Sequence, residues 1–577
     1  MTLCFLGLLA SGCSPTSNQG NSAAGGSTSA GGNTGAGGTS PKGGSSGRGG
    51  TSAQGGSSNA GGNTYVGGTS GAGGSGGSGG ANLSGGVGSG GTSSGGKGGS
   101  SSGSSGGQNS GGTSGQGGGA GSGGTSGQGG SAGSGGASDK GGSAGSGGTS
   151  GTGGVTTATN CAITPTGSIS SKIGTVGIVT FTTDLASPTS AHIDFGLDTK
   201  YGMKAPVDLS AASYRTLLLG MKQSKTYHYR IVVANASGQC TGSDNTIVTK
   251  TLPNGLPTIS ISAASGTIAG GYLNSCFFQG MGGGSATGAF ILDADGEYVW
   301  VYGSGEMGRA EMSYDGKYMY YASVNAMEAS ASSMHRVTMD GLTDENFSSA
   351  VSGMHHDFTT SLPDGTVGFI RRVGSDDWVS ELKDGAVTNK FDVTTMMATS
   401  GIQPHANSIH YHADDDSYTV SDRDYNAYIK SSRSGTKAWK LGGSGGAFTG
   451  DVTWSVNHGH QWIGPNRLFF FNNGSGGTGM GGGSSTASHA IELSLDLTTM
   501  KASKVWDYSS GSVASSVLGD VQILDNGNRL VTFSTAGVIH EVDSAGKSMI
   551  QSISFSSGGA IGYAVKRASL YGPPPTR

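Results

Sequence analysis

The chain has 577 residues and 116 of them are glycine, one in five against an ordinary share of about 7%. Charged residues make up 12%, 32 basic against 36 acidic, for a net charge of −4. With 13 prolines and no three-residue glycine period the chain is not collagenous, and with no basic block it has no footprint for nucleic acid.

The first 13 residues read MTLCFLGLLASGC. The apolar run from Leu3 to Ala10 is far too short to span a bilayer and suits the apolar part of a signal peptide. It ends in Leu9-Ala10-Ser11-Gly12-Cys13, which resembles the bacterial lipobox. The resemblance implies a lipid on Cys13. No Lys or Arg precedes Leu3, a departure from the usual signal. By the same resemblance, Ser14 implies the outer membrane over the inner one. The expected location is exported and lipid-anchored, on the periplasmic side or the surface of the outer membrane.

Residues 14–157 are expected to be a disordered tether. Of the 141 positions in 14–154, 61 are glycine, in copies of GGTSG and GGSAGSGG with almost no apolar side chain. Nothing there can be buried to offset the entropy of ordering. A coil of this length reaches roughly 60–70 Å.

Residues 158–255 change character. Segments such as VGIVTFTTD, AHIDFG and YHYRIVVA alternate β-branched and aromatic residues with polar ones, and turns separate them every 8–12 residues. That pattern predicts a small β-sandwich. The stretch from Leu219 to Tyr227 resembles the fibronectin type III signature, in which a tyrosine packs at a corner. Cys161 and Cys240 bracket the segment, and export favours a disulfide between them. Cys276 is left over and is expected to be a buried free thiol. No CxxC occurs, so a zinc ribbon is excluded.

Residues 262–572 repeat one unit: strand, Asp-Gly or Asn-Gly turn, strand. Examples are ILDADGEYVWVYG, FTTSLPDGTVGFIRR and VQILDNGNRLVTFS. Ten such hairpins with almost no helical periodicity predict an all-β fold built by radial repetition. Two hairpins per blade give five blades, and a sixth split between the ends makes a six-bladed β-propeller. Seven of the 12 histidines lie between 355 and 460, in GMHHDF, HANSIHYH and NHGHQW. The clusters begin at 355, 405 and 458, about one blade apart, so they are expected at equivalent places, directly before a strand, on successive blades.

The segment HANSIHYHADDDSYTVSDRDYNAYIK (405–430) resembles the core of the bacterial PAPS-independent arylsulfate sulfotransferases. HHDF with LPDG (355–365) and NHGHQWIGPNRLFFFNNG (457–474) are similar to two further segments of that family. The resemblance implies transfer of a sulfuryl group from an aryl sulfate donor to a phenol acceptor through a sulfohistidine, with no cofactor and no metal. Counted without gaps from Asn472-Asn473-Gly474, the family's nucleophile falls on His458 and not on His460. His405, Asn407 and Arg423 match the sulfuryl-binding set; His356 matches the remaining histidine, with His355 as its alternate. Covalent catalysis by an unprotonated imidazole divides one hard displacement into two. A planar guanidinium and an amide suit the oxyanion. Other roles stand beside these: Arg423 in a surface ion pair with Asp422 or Asp424, Asn407 as a turn cap, His410 and His412 as structural, and Lys430 facing solvent. Asn457 and Asn472 depart from the family's Gln and Asp, and no cysteine pair lies in 270–577. Two other functions stay open: a non-catalytic surface propeller, and a metalloenzyme using the histidine clusters.

The lipobox leads to one expected outcome. Labelled fatty acid fed to cells should appear on the protein and vanish in Cys13→Ala; label kept by that variant contradicts lipidation at Cys13.

Overall fold

Strands dominate because the sequence supplies paired apolar alternations closed by turns that glycine can make. The Asp384-Gly385 turn has φ of 50° and 79° at its two central residues. Two positive values in succession match the twist of a two-residue hairpin and explain why glycine stands there. The computed structural model describes residues 160–278, 286–305, 307–323, 332–397, 404–450, 452–474, 487–545, 548–556 and 559–573. The signal segment, Cys13 and the tether expected over 14–157 lie outside the described residues. The chain divides into Met1–Ala137 and Ser138–Arg577, and the description concerns the second unit alone.

Residues from Ile163 to Val248 form two sheets, one of Ile163–Ile169, Gly177–Thr183 and Thr216–Leu218, the other centred on Ser190–Gly196 and Thr226–Asn235. Their inner faces meet over Val179, Phe181, Ile193, Phe195, Leu218, Tyr229 and Ile231. The hydroxyl of Tyr227 turns back to accept the Lys222 N–H at 2.8 Å, five residues upstream. Cys161 and Cys240 are joined in a disulfide, with Cα atoms 5.9 Å apart. Cys276 is a free, buried thiol.

The remaining strands form six small antiparallel sheets, a propeller-like, all-β arrangement. In chain order the second to the sixth begin with Arg309–Met312, Met354–Thr359, Ala406–His412, Asn457–Ile463 and Asp520–Ile523, and each adds its next three strands outward. In the first sheet the leading place is taken by the late strand Val565–Arg567, beside Tyr272–Cys276. From the second sheet to the sixth the leading strands of successive sheets touch, and Tyr272–Cys276 of the first touches Arg309–Met312 of the second. The sixth returns to the first where Gln522 exchanges two hydrogen bonds with the Lys566 backbone, at 2.8 and 2.7 Å. Ile259–Ala263 pairs with Met549–Phe555 as a fifth strand of the sixth sheet. The expected start at 262 therefore falls inside a strand. Both ends of this region close sheets, where one split blade was expected.

At the middle of the ring sits Arg309, 8% exposed. Its guanidinium lies 3.2 Å from Glu311 and 3.5 Å from both Asp357 and Asp520. Burial pushes the carboxyl of Asp357 up to about 6 and that of Asp520 up to about 7, against the pull of Arg309. One cation thus ties the second, third and sixth sheets together. The sandwich is fastened to the first two sheets. Ser170 Oγ donates to the Asp340 carbonyl at 2.6 Å, Arg215 pairs with the Asp340 carboxylate, and Ile173, Val176 and Leu219 share a core with Trp300 and Met339.

The disulfide spans 79 residues. Closing such a loop is worth about 4–5 kcal/mol in the chain-entropy picture, and native bridges in small exported domains measure about 2–5. The double variant Cys161→Ala/Cys240→Ala should therefore melt at a clearly lower temperature by calorimetry. An unchanged melting temperature contradicts a stabilising role for the bridge.

Candidate functional site

The three histidine clusters lie at the leading strands of the third, fourth and fifth sheets, and each of those strands carries a bulge. Pairing slips between Met354 and Phe358, between Ala406 and Ser408, and between Asn457 and His460. A bulge re-aims the side chains within it. The slipped residues include His355, His356, Asn407 and His458. The clusters were expected directly before strands; only His405 sits there, His355, His356 and His458 lie inside the bulges, and His410, His412 and His460 pair in regular register. His356 has φ of 59° and Val456, two residues before His458, has φ of 58°. That region is strained for a residue with a side chain, most of all for a β-branched one, at about 1–3 kcal/mol each. Gly459 separates His458 from His460 because a Cβ there would stand 2.6 Å from the Gly519 carbonyl.

His458 is 2% exposed, and its Nδ1 lies 2.6 Å from Asn473 Oδ1. The Asn473 amide is oriented by its own bonds: Nδ2 donates to the carbonyls of Ser515 and Leu518, each at 2.8 Å. Its oxygen must therefore face the ring. An amide oxygen only accepts, so Nδ1 carries the hydrogen and Nε2 keeps its lone pair. Burial is the main cause that pushes the His458 pKa down to about 3; the Asn473 bond opposes the fall, and Arg423 and His405 add to it.

His460 differs. Its Nδ1 meets Ser408 Oγ at 2.7 Å and its Nε2 meets Thr419 Oγ1 at 2.8 Å, so both nitrogens are engaged. His412 Nε2 meets Thr419 Oγ1 at 2.9 Å, and the ring of His410 lies 4.7 Å from that of His412. These three rings form a packed cluster apart from Asn473.

His355, His356 and His405 line up. Asp377 Oδ1 lies 2.9 Å from His355 Nε2, His355 Nδ1 is 2.8 Å from His356 Nδ1, and His356 Nε2 is 3.0 Å from His405 Nε2. His405 Nδ1 then lies 3.4 Å from Asp424 Oδ2. Burial drives the pKa of His356 well below the usual value, and the positive charges of neighbouring histidines and Arg423 add to this. Arg423 Nε donates to Asp424 Oδ1 at 2.7 Å, and the side chain is 29% exposed. Its two terminal nitrogens make no hydrogen bond among the described residues, and its charge acts on His356, His405 and His458. The ion pair with Asp424 and a place facing the histidines hold together at one residue.

At Asn407, expected to bind substrate, Nδ2 donates to the Asn457 carbonyl at 2.6 Å and Oδ1 accepts from Ser421 at 2.6 Å, which uses one of its two N–H groups. It ties the fourth sheet to the residue before His458. One expectation is corrected. Lys430 was expected in solvent; it is 8% exposed, pairs with Asp415 at 2.6 Å, and lies over the Trp462 ring at 4.5 Å. Sequence reasoning named Asp424 only as a partner of Arg423, and missed Asp377, Asn473 and Tyr563, whose hydroxyl crosses the ring to donate to the Asn407 carbonyl at 2.8 Å. Asn473 stands in the Asn-Asn-Gly used for register and Asp424 follows Arg423, so both were within reach. Nothing in the sequence marks Asp377 or Tyr563.

Residues 388–555 match the family model described as Arylsulfotransferase (ASST). The match includes His405, Asn407, Arg423, His458 and Asn473, and leaves His355 and His356 outside. No curated protein matches the chain. Among solved structures, a protein of unknown function from Bacteroides caccae is 15% identical, with 51% of this chain and 98% of that chain covered and a TM-score of 0.35. The periplasmic gluconolactonase PpgL of Pseudomonas aeruginosa is 13% identical, with 59% and 95% covered and a TM-score of 0.31. At these scores neither carries an argument, and the description of the fold rests on the sheets themselves.

In the unfolded chain His458 takes a proton near pH ~6.5. Its folded pKa is lower, so the folded state holds fewer protons from about 6.5 down to about 3. Its contribution to stability is complete above pH ~6.5 and is lost as the pH falls toward 3. Nitrogen-15 NMR of histidine-labelled protein should show a neutral His458 ring, protonated at Nδ1, from pH 8 to pH 5. Titration with a midpoint near 6.5, or protonation at Nε2 instead, contradicts the site.

Proposed function

We propose that the chain is an arylsulfate sulfotransferase that moves a sulfuryl group from a phenolic sulfate ester to a phenol through a sulfohistidine at His458. The six sheets are read as the blades of one six-bladed β-propeller, the sandwich as a fibronectin type III-like domain supported by the Tyr227 corner, and the whole as an exported, lipid-anchored protein. The match over 388–555 supports arylsulfotransferase activity at the level of the family. The observation that carries the reading is the Asn473 lock, which leaves a neutral imidazole lone pair at Nε2, on a ring within electrostatic reach of Arg423.

In the first half-reaction Nε2 attacks sulfur and the aryl oxygen leaves. In the second, a phenol oxygen attacks the same sulfur and His458 is restored. Arg423 steadies the charge that develops on the sulfuryl oxygens, in a site dry enough for fixed donors to count. Asn407 holds the backbone before His458, and Tyr563 holds the backbone of Asn407. A metal-ligating role fits the histidines less well, because both nitrogens of His355, His356 and His460 are already engaged.

Purified protein given an aryl sulfate and a phenol should show ping-pong exchange, with little release of phenol when no acceptor is added. His458→Ala should abolish transfer and His460→Gln should keep most of it. Arg423→Ala should slow kcat by about 10²–10³, as loss of an oxyanion donor does. An active His458→Ala variant, or a folded His460→Gln variant without activity, overturns the assignment. Tight binding of a polymer without any exchange would favour the non-catalytic surface propeller.

A further inference from the structure

Two successive carbonyls serve the surroundings of His458. The Leu518 carbonyl accepts from Asn473 Nδ2 at 2.8 Å, and the Gly519 carbonyl accepts the N–H of Gly459, the residue after His458, at 3.0 Å. The Ser515 carbonyl takes the other N–H of Asn473, also at 2.8 Å. Residues 515–519 lead into the first strand of the sixth sheet, so the sixth sheet orients a side chain of the fifth. The chain does not adopt this shape by preference. Leu518 has φ of 55°, a strained value for a residue with a side chain, and Gly519 has φ of 105°, where a Cβ would stand 2.3 Å from the Phe471 ring. Contacts from outside the segment must hold it.

Ser534 and Thr535, directly after the strand Arg529–Phe533, bond to both ends of it. Ser534 is buried, and its Oγ accepts the Gly519 N–H at 3.0 Å. Thr535 holds the other end: its N–H donates to Ser515 Oγ at 3.0 Å, and its Oγ1 accepts the Ser516 N–H at 3.2 Å. The Ser515 hydroxyl gives its hydrogen to the Val517 carbonyl at 2.7 Å. At the 3.1 Å contact between the two hydroxyls Thr535 therefore donates and Ser515 accepts. We propose that Ser534 and Thr535 are positioning residues for sulfuryl transfer: they hold 515–519 as a carbonyl clamp on the Asn473 amide, and through it fix the tautomer and the place of His458. The effect on transfer rests on the sulfotransferase reading above; the effect on the ring rests on the geometry of the clamp.

The clamp makes one amide orientation far better than its reverse. Turned over, Asn473 would set its oxygen against two carbonyl oxygens and offer an N–H to the ring, which would move the His458 hydrogen to Nε2. An Nε2 that carries hydrogen has no lone pair for sulfur. With one carbonyl in place the reverse orientation still meets an opposed oxygen; with both displaced it meets none. The two ends therefore act together, and removing both hydroxyls should do more than removing each alone adds up to. Neither Ser534 nor Thr535 bonds to Arg423, Asn407 or a histidine among the described residues, so the groups that would take the sulfuryl oxygens keep their places.

Thr535→Val removes one hydroxyl and keeps the shape, Ser534→Ala removes the other, and Thr535→Ser keeps the hydroxyl. Nitrogen-15 NMR of the histidine-labelled full chain at pH 7 should show the His458 hydrogen on Nδ1 in the wild type and in Thr535→Ser, and on Nε2 in Ser534→Ala/Thr535→Val. In that double variant kcat for exchange between an aryl sulfate and a phenol should fall about 100-fold with KM held, the scale on which a misplaced reacting group costs rate. Thr535→Ser should keep the wild-type rate. Thr535→Val alone should keep the hydrogen on Nδ1 but exchange it with water faster than the wild type does. A double variant with the hydrogen still on Nδ1 overturns the clamp, whatever its rate. If the double variant does not fold, unchanged exchange in Thr535→Val overturns it instead. A wild type without sulfuryl transfer, whose tautomer still moves on the double substitution, refutes the sulfotransferase reading while the clamp stands.

Discussion

An amide can donate only from its nitrogen, and at Asn473 both N–H groups are taken by the carbonyls of Ser515 and Leu518. Everything at the site depends on that. The oxygen left over fixes the hydrogen of His458 on Nδ1, and burial keeps the ring from gaining a second proton until about pH 3. A histidine that would be partly charged in water becomes a permanent lone pair in a cationic setting. The alternation His458-Gly459-His460 shows how selective the arrangement is. Two residues away, the same ring type is bonded at both nitrogens to hydroxyls and has nothing to offer.

The ring of sheets supports this by holding backbone that would not persist alone. Three successive leading strands slip register where the histidines stand, and His356 and Val456 adopt left-handed backbone. Such strain survives only where the surroundings over-determine it. Asn407 and Tyr563 form that surrounding at the axis, each spending polar atoms on a backbone carbonyl. Below them, Arg309 joins three sheets through three carboxylates. Removing one partner of such a buried group costs far more than the pair contributes on balance. The polar axis is therefore a set of mutual obligations that keeps the rim in place.

Local chemistry was legible in the sequence and long-range pairing was not. Asp-Gly turns between alternating strands announced the hairpins, because a two-residue turn and its flanking strands lie within about a dozen residues. The closing strands gave no such signal. Ile259–Ala263 finds its partner at Met549–Phe555, and Val565–Arg567 pairs with Tyr272–Cys276, almost the whole ring away. The spacing of the histidine clusters conveyed that they recur once per sheet. It did not convey that they sit in bulges, since a bulge is defined by the partner strand. Lys430 was misread because its charge suggested solvent, whereas its ammonium group lies over the Trp462 ring and pairs with Asp415. The bonds of Asn407 to Asn457 and Ser421 were not legible, because both partners come from other strands. Asp377 escaped notice because its role exists only where the third sheet brings His355 against it.

The most direct measurement is to trap the covalent intermediate. Wild-type protein mixed with an aryl sulfate and no acceptor, quenched in alkali and digested, should give one peptide bearing a sulfuryl group, mapped by mass spectrometry to His458. Adding a phenol before the quench should remove the label. A label on His405, His356 or His460, or none while exchange proceeds, contradicts the account.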